Sequence, residues 1–241
     1  MNHQRNVLIA GASSSIGVPV TKRFVGAGDA VLATYFTHRS KFSGLLSGGE
    51  GELAVAQLDI TNADSRGRFV REEVPAFAPL DVVLLLAGYL PGESLADYDD
   101  AKIEPVMAIN FVGQALLLKQ LLPLLNQDCH VIMMSSIAAQ RGSYDPLYAA
   151  AKGAVLPFVK SMVRALAGKA RINAVAPALI EGSTMYDDMA PEIRANHRSS
   201  TPTGKLVQTE DLASQLFDLC QPHWRSLNGA CIDLNGGQYL R

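Results

Sequence analysis

Residues 6–24 read NVLIAGASSSIGVPVTKRF: an apolar run, a glycine-bounded turn of small residues, then apolar positions at four-residue spacing. Asn6 to Ala10 has the outline of a buried strand, and Ile16, Val20, Phe24 and Ala27 recur as on one face of a helix. Pro19 falls in the first turn of that helix, where its missing N–H costs nothing. Between strand and helix lie Gly11, Ser13, Ser14, Ser15, Ile16 and Gly17. Glycines let a backbone approach a pyrophosphate, and a helix N-terminus offers N–H donors at the positive end of its dipole. An ordinary tight βα turn has the same outline, but a motif on the first strand favours a nucleotide site.

Outward from this unit, strands are expected at 30–36, 53–58, 82–86, 130–134, 171–176 and 230–234, alternating with helical segments. The central ones are unbroken apolar runs, as in strands buried on both faces. The fold expected is α/β: one doubly wound parallel sheet of about seven strands, Rossmann-type, with helices on both faces, in a single domain. Residues 43–51 are rich in Gly and Ser and read as a loop around a poorly formed helix. From Ile103 to Leu125 the pattern is apolar nearly all the way round, so one side should face the sheet and the other a second subunit. Residues 180–205, polar and rich in Pro and Gly, are expected to form a lid over the substrate.

With 241 residues, a net charge of −2 and 18% charged residues, nothing points to a nucleic-acid or anionic-membrane partner. Cys129, Cys220 and Cys231 form no C-x-x-C and read as reduced core thiols. The five histidines form no ligand cluster, so no metal is expected. No signal peptide or membrane span is read, which places the protein in the cytoplasm.

The chemistry-bearing stretch is 135–152, SSIAAQRGSYDPLYAAAK. If the helix starts at Leu147, Tyr148 and Lys152 lie one turn apart on one face. An ammonium beside a phenol favours the phenolate, so Lys152 is expected to lower the pKa of Tyr148. A tyrosine so tuned can pass a proton to or from a substrate oxygen. A serine at the end of the preceding strand could hold that oxygen.

Together these pieces resemble the short-chain dehydrogenase/reductase family over nearly the whole chain. The marks, in order, are GASSSIG (11–17), DIT (59–61), AG (87–88), IN (109–110), SS (135–136), YAAAK (148–152), RINAVAP (171–177) and NGG (235–237). The nearest resemblance is to members called 3-oxoacyl-carrier-protein reductases, a label that covers many substrates. The resemblance implies that Tyr148 is the general acid or base and that Lys152 lowers its pKa and holds the nicotinamide ribose. It also implies that Asn110 anchors a proton-relaying water and that Ser136 orients the substrate oxygen. Ser135 is the second choice for that last role, because it restores the family's commonest spacing to Tyr148. Asp59 and Ile60 would border the adenine, Ala87 and Gly88 the cofactor at the end of the fourth strand, and Pro177 and Ile180 the nicotinamide. A homotetramer is implied as well.

The chain departs from the family pattern at three places. Ser15 stands where a glycine is usual, Ala10 where a threonine is, and Leu85-Leu86 where two asparagines often are. Losing polar groups on both sides of one contact leaves no orphan and can be nearly neutral.

Cofactor choice rests on AVLATYFTHRSK (30–41). The position of an NAD-binding carboxylate is about Tyr35, and no acid lies between Val31 and Lys41. His38, Arg39 and Lys41 follow, with Arg39 the first choice for a 2′-phosphate, so NADP is expected over NAD. The function expected is hydride transfer between NADP(H) and a small-molecule carbonyl or secondary alcohol. The competing possibility is an idle family fold that senses the cofactor. In the lid, Met185, Tyr186, Met189 and Ile193 could line an apolar wall. Arg194, His197 and Arg198 could meet an acidic group, or only solvate the outer face.

Overall fold

The computed structural model describes residues 4–45 and 51–240. Its strands are β1 (Asn6–Ala10), β2 (Ala30–Tyr35), β3 (Leu53–Gln57), β4 (Leu80–Leu85), β5 (Leu125–Met134), β6 (Ala170–Pro177), β7 (Ile180–Glu181), β8 (Val207–Gln208) and β9 (Cys231–Leu234). Seven of them form one sheet in the order β3-β2-β1-β4-β5-β6-β9, with every neighbouring pair parallel. The expected doubly wound sheet is therefore present. Its order reverses between β1 and β4, where Ala10 pairs with Leu85. In such sheets the crevice at the carboxyl ends of the strands beside the reversal is the natural ligand site.

Alternation along the strands divides the core into two layers. On one face Leu8, Leu32, Val83, Val131 and Ile172 pack with Leu117, Leu118, Val155 and Val159. On the other, Val7, Ile9, Val31, Leu84 and Ile132 pack with Val20, Phe24, Leu212 and Leu216. The helices are α1 (Gly17–Val25), α2 (Ala63–Glu72), α3 (Asp100–Met107), α4 (Gly113–Leu121), α5 (Ala138–Arg141), α6 (Pro146–Ala165), α7 (Thr184–Asp187), α8 (Pro191–Ser199) and α9 (Thr209–Leu219). The first face carries α4 and α6, and the second α1 and α9.

Several elements differ from expectation. β5 begins at Leu125 rather than His130. The lid contains two short helices and begins with β7, which pairs with β8 just beyond the lid. In the Gly/Ser-rich stretch, residues 46–50 lie outside the described residues, and just before it Arg39–Phe42 forms a 3-10 turn anchored by the buried Phe42.

The long apolar helix is continuous over Asp100–Leu124, which by length and composition alone is enough to cross a membrane. Here Leu117, Leu118 and Leu121 are buried in the first core layer, as in a core helix of a folded domain. Its outer face leaves Val112 and Leu116 exposed. A π-turn at Ala108–Val112 separates α3 from α4. A π-turn displaces backbone bonds, and here Gln114 compensates: its Nε2 donates to Ile109 O (3.0 Å) and Asn110 O (3.1 Å). The same nitrogen donates to Ala87 O at 2.7 Å, tying the π-turn to the exit of β4. Gln114→Leu would leave those buried carbonyls short of a donor at about 1–3 kcal/mol. In a chain this long the loss should lower Tm by roughly 2–4 °C per kcal/mol. Calorimetry of the variant checks this, and an unchanged Tm would contradict it.

Candidate active site

The carboxyl ends of β1, β2, β4, β5 and β6 open into one cleft of about 1170 Å³. Its lining includes the glycine turn (Gly11, Ser13, Ser14, Ser15, Ile16), Tyr35, Asp59 and Ile60. Ala87, Gly88, Pro177 and Ile180 line it as well, together with Ser136, Tyr148 and Lys152. Asp59 is committed locally, accepting from Thr61 N (2.9 Å) and Thr61 Oγ1 (2.7 Å).

The turn is built by close backbone packing. Gly11 has φ +84, and a Cβ on it would meet Ala87 N at 2.6 Å. Gly17 does not line the cleft: a Cβ there would strike Ala12 Cα at 2.5 Å, so its part is packing the start of α1 against the turn. Ser14 closes the turn, its hydroxyl donating to Gly11 O and accepting from Gly17 N, both at 2.9 Å. Ser15 accepts from Thr184 N at 3.0 Å, which joins the turn to the start of α7 in the lid.

The two adjacent serines separate cleanly. Ser135 is buried and donates to Lys152 O at 2.9 Å, bracing α6 against the end of β5. Ser136 lines the cleft with Tyr148, and its hydroxyl accepts from Ala138 N at 3.1 Å. Lys152 is 2% exposed, and its Nζ donates to Met134 O at 2.9 Å while lying 5.9 Å from the Tyr148 ring centroid.

Electrostatically the pair departs from expectation. Burial pushes Tyr148 up to about 12; the neighbouring Ser136 hydroxyl pulls it the other way and the Asp145 carboxylate pushes it further up. Burial pushes Lys152 down to about 7. A phenolate and an ammonium are both poorly solvated here, so desolvation outweighs the mutual attraction expected from their spacing.

Asn110 sits in the π-turn, fully buried, just behind the cleft wall. Its Nδ2 donates to Tyr89 O (2.6 Å) and Val106 O (2.9 Å), and its Oδ1 accepts from Tyr89 N (3.2 Å). A Cβ on Gly88 would lie 3.5 Å from Asn110 Oδ1 and 3.8 Å from Lys152 Nζ, so both polar groups stand beside that glycine.

Arg39 is not brought to the cleft: it is exposed at the start of its 3-10 turn, whereas His38 and Lys41 line the cleft beside Tyr35 and Phe36. A tight turn pointing successive side chains in different directions is the reason, and it is not visible in residue order. Among the lid residues, Met185, Met189 and His197 line the cleft and Ile193 does not. Tyr186, Arg194 and Arg198 line a separate open groove; Arg198 pairs with Glu181 at 2.6 Å, and the Arg194 guanidinium lies over the Tyr186 ring. Arg141, Tyr89, Leu90 and Pro105 also line the cleft and were missed; the first lies in a short helix with no sequence periodicity. Among the described residues, no group of three or more His, Cys, Asp and Glu side chains is placed to hold a metal.

The family profile described as Enoyl-(Acyl carrier protein) reductase matches residues 11–238. The chain belongs to the short-chain dehydrogenase/reductase family. It is 26% identical over 248 residues to the 3-oxoacyl-(acyl-carrier-protein) reductase FabG of Staphylococcus aureus, covering 100% of both chains. It is 27% identical over 241 residues to the uncharacterized oxidoreductase YmfI of Bacillus subtilis, covering 97% of this chain and 98% of that one. A solved short-chain dehydrogenase/reductase of Brucella melitensis, described as a glucose/ribitol dehydrogenase, superposes with TM-score 0.87 at 29% identity over 98% of this chain and 97% of that one. A Burkholderia cenocepacia short-chain dehydrogenase, solved in complex with NADP, superposes with TM-score 0.89 at 24% identity, over 98% and 97%. This chain is thus a family oxidoreductase for a small-molecule substrate and a nicotinamide nucleotide.

The low Lys152 pKa makes a stability prediction. With a folded pKa near 7 and an unfolded value of 10.5, the unfolded chain binds more protons between those limits. The Lys152 contribution is therefore fully recovered above 10.5 and lost as pH falls through 7. Lys152→Met should accordingly be stabilised relative to the parent at pH ~7, with the advantage shrinking by pH ~9, below the range in which Tyr148 titrates. Urea unfolding of both proteins at the two pH values checks it; an advantage that grows with pH would contradict it.

Proposed function

We propose that this enzyme transfers a hydride between NADP(H) and a carbonyl or secondary alcohol, with Tyr148 as the proton donor or acceptor. The observation that carries the proposal is that Ser136, Tyr148 and Lys152, one turn on from Tyr148, line the same cleft as the glycine turn. The chain's own residues suit a dinucleotide. The small-residue turn offers backbone at the N-terminus of α1, and Gly88 leaves room beside Lys152 and Asn110. When bound, the nicotinamide supplies or accepts the hydride.

In the reductive direction Ser136 orients the carbonyl oxygen and Tyr148 donates a proton to it. Burial keeps the phenol protonated at neutral pH, the state an acid needs. Lys152 carries a proton or releases it near neutrality, which suits both ribose binding and proton return to Tyr148. Asn110 works through the Tyr89 backbone, which it grips from both sides, and through the acceptor it presents beside Gly88. Tyr89, Leu90, Pro105, Met185 and Met189 all line the cleft, which supports a substrate with an apolar flank. The apolar outer face of the long helix, with Val112 and Leu116 exposed, supports assembly into a homotetramer.

Tyr148→Phe should lower kcat by at least roughly 10²-fold while leaving cofactor affinity within a few-fold. Near-normal turnover by that variant would remove Tyr148 from the role. For the cofactor, Lys41 with His38 replaces Arg39 as the 2′-phosphate contact. A charge-assisted bond is worth about 1.5–3 kcal/mol, so kcat/KM should favour NADPH over NADH by roughly ten- to hundred-fold. Lys41→Ala should shrink that ratio towards parity, while Arg39→Ala leaves it in place; equal use of both cofactors by the parent would refute the NADP assignment.

A further inference from the structure

We propose that Asp145 is a positioning residue that holds Tyr148 and the 89–98 wall of the cleft in fixed relation through one buried carboxylate. The proposal rests on the Tyr148 role given above. Asp145 is 1% exposed and caps α6: its Oδ1 accepts from Tyr148 N at 2.8 Å. A helix cap requires no more than that. The same carboxylate also accepts from the Tyr98 hydroxyl at 2.8 and 2.9 Å, and from Gly92 N at 3.1 Å. Both donors belong to the segment that leaves β4 through Ala87 and Gly88, lines the cleft with Tyr89 and Leu90, and reaches the Asp99 cap of α3. Gly92 has φ +75, so the segment turns there through a conformation that glycine favours.

The ion pairs among the described residues are Arg5–Asp29, Lys102–Glu93, Arg198–Glu181 and His223–Asp218, and Asp145 belongs to none. An anion buried without a counter-charge is costly unless hydrogen bonds satisfy it. The N-terminus of α6 and the two wall donors fill that need, so the wall is part of what keeps the carboxylate in place. Loss of the Tyr98 bond should loosen the wall without uncapping the helix.

The charge has a second consequence. Asp145 raises the pKa of Tyr148. The other groups around the phenol are Ser136 from the end of β5 and Lys152 from α6. Within the wall, Tyr89 and Glu93 act on Tyr98, and Lys102 of α3 pairs with Glu93. Glu104, Arg141, Asp188 and His197 share the cleft. Asparagine caps helices as well as aspartate does, so Asp145→Asn removes the charge and keeps an acceptor for Tyr148 N. Without that anion the phenolate is easier to form. The alkaline limb of the reductive kcat–pH profile should move to lower pH, and the oxidative profile should rise at lower pH.

The test compares the parent with Tyr98→Phe and Asp145→Asn by amide hydrogen exchange and by pH–rate profiles. Tyr98→Phe is expected to speed exchange in residues 89–98 and raise the carbonyl-substrate KM by roughly threefold or more, with the shape of its kcat–pH profile kept. Asp145→Asn is expected to shift the profile to lower pH. Unchanged exchange in Tyr98→Phe, or a superimposable profile in Asp145→Asn, overturns the proposal and leaves Asp145 an ordinary cap. If the parent turns over no carbonyl compound, the proposed function falls instead. The exchange comparison, made without substrate, still decides whether Asp145 holds the wall.

Discussion

The amine of Lys152 is buried where a charge is costly, with the Met134 carbonyl as its hydrogen-bond partner at the end of β5. That constraint shapes the rest of the site. Burial pushes the amine down to about 7 and the neighbouring phenol up to about 12, so at neutral pH the two do not stand as a fixed ion pair. Ser135 holds the backbone of Lys152, Ser136 lines the cleft with the phenol, and both come from the first residues beyond β5. Moving α6 against β5 by one residue would break every one of these contacts at once.

The sheet supplies the rigidity. Parallel strands packed on both faces bring all their carboxyl ends to one edge, and the reversal between β1 and β4 opens that edge into a cleft. The π-turn then carries Asn110 to the back of the cleft wall, and Gln114 fastens the turn to Ala87. Fold and site are thus held by the same few backbone carbonyls.

Much of this was legible in the sequence. Apolar runs of four to six residues alternating with helical periodicity suffice for the sheet, and the glycine turn and the Tyr148–Lys152 spacing suffice for the site's location. The paired departures Ala10 and Leu85 prove to be register partners, both fully buried, so the loss of polar groups on both sides leaves an apolar contact. What escaped depends on direction and depth more than on residue order. Arg39 and Lys41 are two residues apart, and only the turn geometry decides which faces the cleft. The sign of the Tyr148 shift follows from burial, which the spacing of two residues on a helix does not report. The Asp145 network joins residues 53 apart in the chain, although the Asp-Pro pair ahead of an apolar helix was a visible cap signal.

Hydride transfer at this cleft is the central claim, and isotope tracing addresses it most directly. NADPH deuterated at the nicotinamide C4 position, incubated with the parent protein and a panel of aliphatic and aryl ketones, should give an alcohol carrying deuterium on its carbinol carbon. Mass spectrometry of the product would then show one deuterium from the transferable face, and none in Tyr148→Phe beyond its residual turnover. An alcohol product without deuterium, or cofactor oxidation with no alcohol from any ketone, would contradict the account.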